Sequence, residues 1–216
     1  MSKKKKAAAR APGRPRSTAS RQAILKAAYE ILRESGFAGF TVEGVAARAG
    51  AGKATIYRWW TSKGTLAIEA FLVAITPRMI LAEESASAIA DLRAQVQHAA
   101  GIYRGRAGQL LRELIALGQE DGETSKRLRT DFAEPRRQTA IRLLQRAIAS
   151  GELPASTDVE VLSDALWGPI FHRLLVSHMS IDRAFVEKLL DLVLAGATRQ
   201  GNQGAAYSSA KEGSQS

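Results

Sequence analysis

A chain of 216 residues with 45% apolar and 24% charged side chains is long enough to bury a sizeable core and has the make-up of a soluble globular protein. It holds no cysteine, which excludes disulfides, thiolate metal sites and a cysteine nucleophile. The net charge of +10 is unevenly placed: residues 1–66 carry 14 Lys/Arg against 3 Asp/Glu, and residues 67–216 carry 17 against 18. A first third this basic either faces a polyanion or is simply solvated. No apolar run approaches the ~18–20 residues of a membrane span, and no hydrophobic stretch follows the basic start as it would in a secretory signal. The expectation is a cytoplasmic protein without membrane contact.

Residues 1–17 (MSKKKKAAARAPGRPRS) lack apolar periodicity and read as a disordered basic arm. A first helix begins near Thr18 or Ser20, repeats Ile24, Ala27, Ala28, Ile31 and Leu32 at helical spacing, and stops at Gly36. Thr41 caps a short second helix with Val42, Val45, Ala46 and Ala49 on its inner face. Gly50-Ala51-Gly52 breaks it, a third short helix covers Lys53 to Trp60, and Ser62 caps a fourth from Lys63. Two short helices joined by a tight glycine-containing turn and packed on a longer one make a helix-turn-helix, over residues 18–66. Further helices are expected at 63–84, 87–103, 107–119, 123–150, 158–178 and 182–198, with a kink at Gly168-Pro169 and a disordered polar tail at 201–216. Alternating β-branched runs are missing, so the fold class is all-α, about nine helices in two units, 18–66 and 67–200.

Within the third helix, Ile56 and Trp60 stand four apart and face the first two helices. The remaining faces carry Lys53, Ala54, Thr55, Tyr57 and Arg58, a surface suited to the major groove. Lys53 can donate to guanine, and the methyl groups of Ala54 and Thr55 can meet a thymine methyl. Tyr57 and Arg58 suit phosphate oxygens. The helix starts at Thr41 and Lys63 also point free N–H groups at phosphates, although a cap alone would explain Thr41. Trp59 either packs in the core or touches DNA. In the arm, Arg14 and Arg16 of the Gly-Arg-Pro-Arg segment are candidates for a narrow minor groove, the plainer reading being a solvated tail.

The stretch FTVEGVAARAGAGKATIYRWWTSKGTL (40–66) resembles the DNA-binding segment of the TetR (tetracycline repressor) family. Thr41, Ala46-Ala47, Gly50, Thr55-Ile56-Tyr57, Trp59-Trp60 and Lys63 match the family pattern in order and spacing; Gly44 and Trp60 depart from its usual residues. WGPIFHRLL (167–175) resembles a C-terminal signature of one subset of the family. The resemblance implies a DNA-binding regulator, a repressor by the family's usual mode, that binds a palindromic operator as a homodimer. It also implies that residues 67–200 house an effector site and the dimer contact.

Helices 158–178 and 182–198 are apolar nearly all round and so need partners on two sides. Val161, Leu162, Ala165, Ile170, Leu174, Phe185, Leu189, Leu192 and Val193 are the expected dimer residues, a fuller monomer core being the alternative. Phe71, Tyr103, Leu110, Leu114, Trp167 and Phe171 are the candidate effector-pocket residues, the alternative being plain core; Arg104, Arg106 and Arg112 hint at an anionic effector. Catalysis and cofactors are not expected. His98 stands alone, His172 and His178 fall on different helix faces with no metal-ligand spacing, and the nucleotide-binding and nucleophile-elbow motifs are missing. The competing class is a helical protein that binds nucleic acid non-specifically through its basic arm.

Overall fold

The protein is described by a computed structural model that covers the backbone of residues 18–79, 81 and 85–212, and side chains up to residue 198. The lysine run, Arg14 and Arg16 lie outside the described residues. All regular structure among those residues is helical: α1 (Thr18–Ser35), α2 (Val42–Ala49), α3 (Lys53–Tyr57), α4 (Lys63–Met79), α5 (Ala88–Tyr103), α6 (Arg106–Gly118), α7 (Gly122–Arg127), a π turn (Leu128–Ala133), α8 (Glu134–Ala149), α9 (Val159–Val176) and α10 (Arg183–Glu212). With α7, the π turn and α8 taken as one run, nine helical runs are present among the described residues.

Helix α1 buries Ile24, Leu25, Ala28, Ile31 and Leu32 on the stripe that its periodicity marks out, and packs on α2 and α4. Helix α4 is the bridge. Its buried face, which includes Leu66, Ile68, Phe71 and Ile75, meets α1 on one side and α5, α6 and α7 on the other. One continuous core therefore runs from the N-terminal three-helix head into the larger bundle. Gly108 permits the tight join of α5 to α6, since a Cβ there would stand 1.8 Å from the Tyr103 carbonyl oxygen.

Several boundaries differ from those expected. Helix α4 spans Lys63–Met79 and takes in Pro77 in its last turn, short of the expected end at 84. The run 123–150 is not one uniform α-helix. Pro135 sits in the first turn of α8, where a missing N–H is tolerated, and the wide π turn precedes it. As expected, Pro169 lies inside α9, which runs Val159–Val176, two residues short of the expected end, and closes on Ser177 in the left-handed conformation, φ 56°. Helix α10 continues through Glu212, past the start of the expected tail. Extending an existing helix needs no new nucleus.

The connection after α8 holds a carboxylate against the start of α5. Glu152 accepts from the Ser87 hydroxyl, from the Ser150 hydroxyl at 2.8 Å, and from the amides of Ala88 at 2.8 Å and Ile89 at 3.3 Å. The Ser87 bond above all, with the Ser150 bond and the two amides, brings its pKa from 4.5 to about 2 and outweighs a burial penalty second in size only to the Ser87 bond. A depressed carboxylate pKa stabilises the fold above the unfolded value and loses that contribution as pH falls toward the folded one. Glu152→Gln is therefore expected to lower the melting temperature at pH 7, with the deficit shrinking between pH 4.5 and about 2. Thermal unfolding across that range checks it, and a deficit independent of pH contradicts it.

Candidate nucleic-acid interface

The head is set by its caps. The Thr41 hydroxyl accepts from the Gly44 amide at 3.0 Å and starts α2. Gly50 ends it with φ 62°, a conformation that a Cβ would strain, and the Ala51 amide returns to the Ala46 carbonyl at 3.0 Å. Helix α3 then starts within three residues of that turn. Only Ile56 of α3 is buried, and Trp60, just beyond it, is 2% exposed. These two anchors turn the rest of the segment outward: Lys53, Ala54 and Arg58 are exposed, Tyr57 is 54% exposed, and Thr55 is half-buried. Trp59 is also half-buried, with the Arg21 guanidinium 5.7 Å from its ring centre.

Lys63 opens α4 beside this surface. Its ammonium donates to the Phe40 carbonyl at 3.4 Å and lies 4.4 Å from the Phe37 ring centre, so the charge is held beside the head although the side chain remains exposed. An exposed face with two lysines, an arginine, a phenol, a threonine N-cap and small methyl-bearing residues offers donors for phosphate oxygens and reach for base edges. Sequence reasoning missed Glu43 on the same face. It pairs with Lys53 at 2.7 Å, and that hydrogen bond holds the Glu43 carboxyl below its ordinary range. Glu43 thus occupies one of the cations of this exposed face.

Also missed was the anchor under the head. The Trp60 indole donates to Glu69 Oε2 at 2.9 Å, Arg127 Nη1 reaches the same oxygen at 3.1 Å, and Arg21 pairs with Oε1. A signal did exist: Glu69 is the lone charge in the run from Gly64 to Pro77, and a charge inside an apolar run needs partners.

In the C-terminal unit a cavity of about 360 Å³ opens between α4, α5, α8 and α9. Of the six expected pocket residues only Trp167 lines it. Phe71, Leu110 and Leu114 are sealed in the core, with Phe71 against Phe132, and Tyr103 packs on Phe171 with ring centres 5.9 Å apart. The lining instead draws on polar and small residues such as Thr76, Ala94, Gln95, Arg136 and Thr139. The arginines singled out earlier do not line it. Arg106 donates to the Arg33 and Leu32 carbonyls at 3.0 and 3.1 Å, Arg112 reaches the Ser177 hydroxyl, and Arg104 is exposed.

The expected dimer residues divide by face. Leu162, Ile170, Leu174 and Leu189 are buried within the protomer, and Phe185 and Val193 are half-buried. Val161, Ala165 and Leu192 point outward, Val161 64% and Leu192 74% exposed. His172 and His178 are not on separate faces: the chain turns at Ser177 and their rings stand 4.7 Å apart. No group of three His, Asp or Glu among the described residues is placed to hold a metal. None of their helices is long and apolar enough to cross a membrane.

If this face contacts phosphates, Lys63→Ala weakens DNA binding about equally for all sequences and lowers the slope of log K against log salt by about one. Glu43→Gln releases Lys53 and strengthens binding. Fluorescence anisotropy over a salt series checks both, and an unchanged slope in Lys63→Ala together with unchanged affinity in Glu43→Gln contradicts the assignment.

Comparison with known proteins agrees with this geometry. Residues 24–70 match the family described as "Bacterial regulatory proteins, tetR family", and residues 82–193 match "Tetracyclin repressor-like, C-terminal domain". The chain is 38% identical over 178 residues to the uncharacterized HTH-type transcriptional regulator YdeS of Bacillus subtilis, covering 82% of this chain and 89% of that one. It is 30% identical over 183 residues to the DNA-binding transcriptional repressor TetR of Mycobacteroides abscessus, covering 83% and 94%. The crystal structure of the TetR family transcription regulator SCO0332 superposes with a TM-score of 0.72 at 35% identity, over 82% of this chain and 97% of that one. The chain belongs to the TetR family of helix-turn-helix, DNA-binding transcriptional regulators.

Proposed function

We propose that this protein is a repressor that binds a palindromic operator as a homodimer and is released by a small-molecule effector held in its C-terminal unit. The observation that carries this reading is the outward apolar stripe shared by α9 and α10. Val161, Ala165, Gly168, Leu175 and Leu192 are exposed on these two helices, beside a groove of about 270 Å³ that Val161, Leu162, Leu192 and Gly196 line. Such a surface is costly in water and fits a second copy of itself by two-fold symmetry, giving a four-helix contact. Two heads related by that axis would read two half-sites about 34–36 Å apart, or a multiple of that distance. The repressor role draws support from the 30%-identical M. abscessus protein, which carries that name.

An effector held in the C-terminal unit reaches the heads through α4, which packs directly on α1, with α6 as a second tie. Arg106 at the start of α6 holds the last carbonyls of α1, and Glu113 accepts from the Phe37 amide at 2.6 Å. Helix α6 is thus tied to the end of α1, and a shift of α6 is passed to the head. For release, the effector must bind the DNA-free form more tightly than the DNA-bound form.

Leu192→Glu buries a charge in the proposed contact. The variant is expected to sediment as a monomer and to lose at least ~10-fold in affinity for a two-half-site duplex, with helical content unchanged. A wild-type protein that sediments as a monomer, or a variant that stays dimeric with full affinity, overturns the dimer.

A further inference from the structure

The cavity between α4, α5, α8 and α9, at about 360 Å³, lies at the small end of the range for bound organic molecules. Met79, Leu81, Ala99, Leu143 and Trp167 give it apolar walls. Arg136, in the first turn of α8, is set among them. Its Nη1 donates to the Phe132 carbonyl at 2.7 Å, and the guanidinium carbon lies 3.9 Å from the Phe132 ring centre. That accounts for one edge of the group. Its Nε and Nη2 are closed off from solvent and have no hydrogen-bond partner, and the indole Nε1 of Trp167 is a third buried donor with no acceptor.

Among the described residues no carboxylate compensates the charge of Arg136. No ion pair to it is formed by any described residue. Asp91, the acid in the cavity lining, is engaged by Arg146 and by the Ser85 amide at 3.0 Å. Tyr103 hydrogen-bonds to the Arg136 guanidinium but brings no charge at physiological pH, because burial pushes its phenol up to about 12. Arg142 lines the same space, donates to the Thr139 hydroxyl at 3.1 Å, and adds a second positive charge. Buried donors without partners are rare in folded proteins, and a guanidinium needs a counter-charge when it leaves water. An anion with two oxygens in one plane meets that need with paired hydrogen bonds.

We propose that this cavity binds a small organic carboxylate, with its carboxylate on Arg136 and the Trp167 indole and its apolar body against Met79 and Leu143. This names the chemical class of the effector and rests, for its regulatory consequence, on the repressor reading above. The cation is the specificity element: a neutral analogue of the same shape leaves the same donors unpaired.

The test titrates the full-length protein by calorimetry with decanoate, 4-phenylbutyrate and 2-naphthoate, and with the primary amide of each. At least one acid is expected to bind about 10-fold or more tightly than its amide. Arg136→Met should erase that preference while circular dichroism stays unchanged, and Arg136→Lys, which keeps the charge, should retain part of it. Failure of all three acids to bind, equal binding of acids and amides, or a preference that survives Arg136→Met overturns the proposal. Release from DNA, followed by anisotropy in the same titrations, separates it from the regulatory reading. Binding that depends on Arg136 without change in DNA affinity upholds the site and removes its effector role. Release by an amide as strong as that by its acid upholds the effector role and overturns the carboxylate assignment.

Discussion

The carboxylate of Glu69 is the point on which the exposed face of the helix-turn-helix head depends. It lies on α4 with its side chain 12% exposed, and it receives Arg21 from α1, the Trp60 indole from the segment after α3, and Arg127 from α7. A carboxylate withdrawn from water this far is tolerable only with several donors, and here it has three. Both arginines remain about a third exposed, so solvent weakens the net gain below that of a fully buried pair. Its main effect is geometric. By fixing the Trp60 ring, Glu69 sets the rotation of α3 about Ile56 and hence the direction in which Lys53, Tyr57 and Arg58 project.

The same group joins two levels of organisation. Glu69 and Arg127 link the head to α7 on one flank, and Arg106 and Glu113 link it to α6 on the other. The head is held to the larger unit at both places by charged hydrogen bonds rather than by a loose linker. Packing between them is continuous through α4, so the two units share one core. Such a join passes displacement from one unit to the other, which is the physical requirement for any ligand that acts on DNA binding from a distance.

The head was legible in the sequence because its determinants are local. The Thr41 cap, the Gly50 turn and the four-residue spacing of Ile56 and Trp60 each act within a few residues, and the structure shows each in that role. The surplus of apolar residues in α9 and α10 was legible too, but which side faces the protomer was not. Leu162 and Val161 are neighbours in sequence with opposite fates, since the helix rotation is set by packing against α8. The cavity was the least legible feature. It exists where α4, α5, α8 and α9 fail to fill the space between them, and a void has no residue type of its own. Phe71, Leu110 and Leu114 looked like lining because large apolar side chains suit ligands, yet those same properties close a core around them. Arg136 gave no local signal, since its isolation depends on Phe132, Tyr103 and Trp167, which come from different elements.

The central claim, that this chain reads DNA sequence as a two-fold dimer, is tested most directly by selecting bound duplexes from a random library at about 150 mM salt, where non-specific charge binding is suppressed. The account predicts an inverted repeat with half-sites one or two helical turns apart. Recovery of no motif, with affinity equal to that for random DNA, would contradict it and leave a basic-armed helical protein that holds nucleic acid by charge alone.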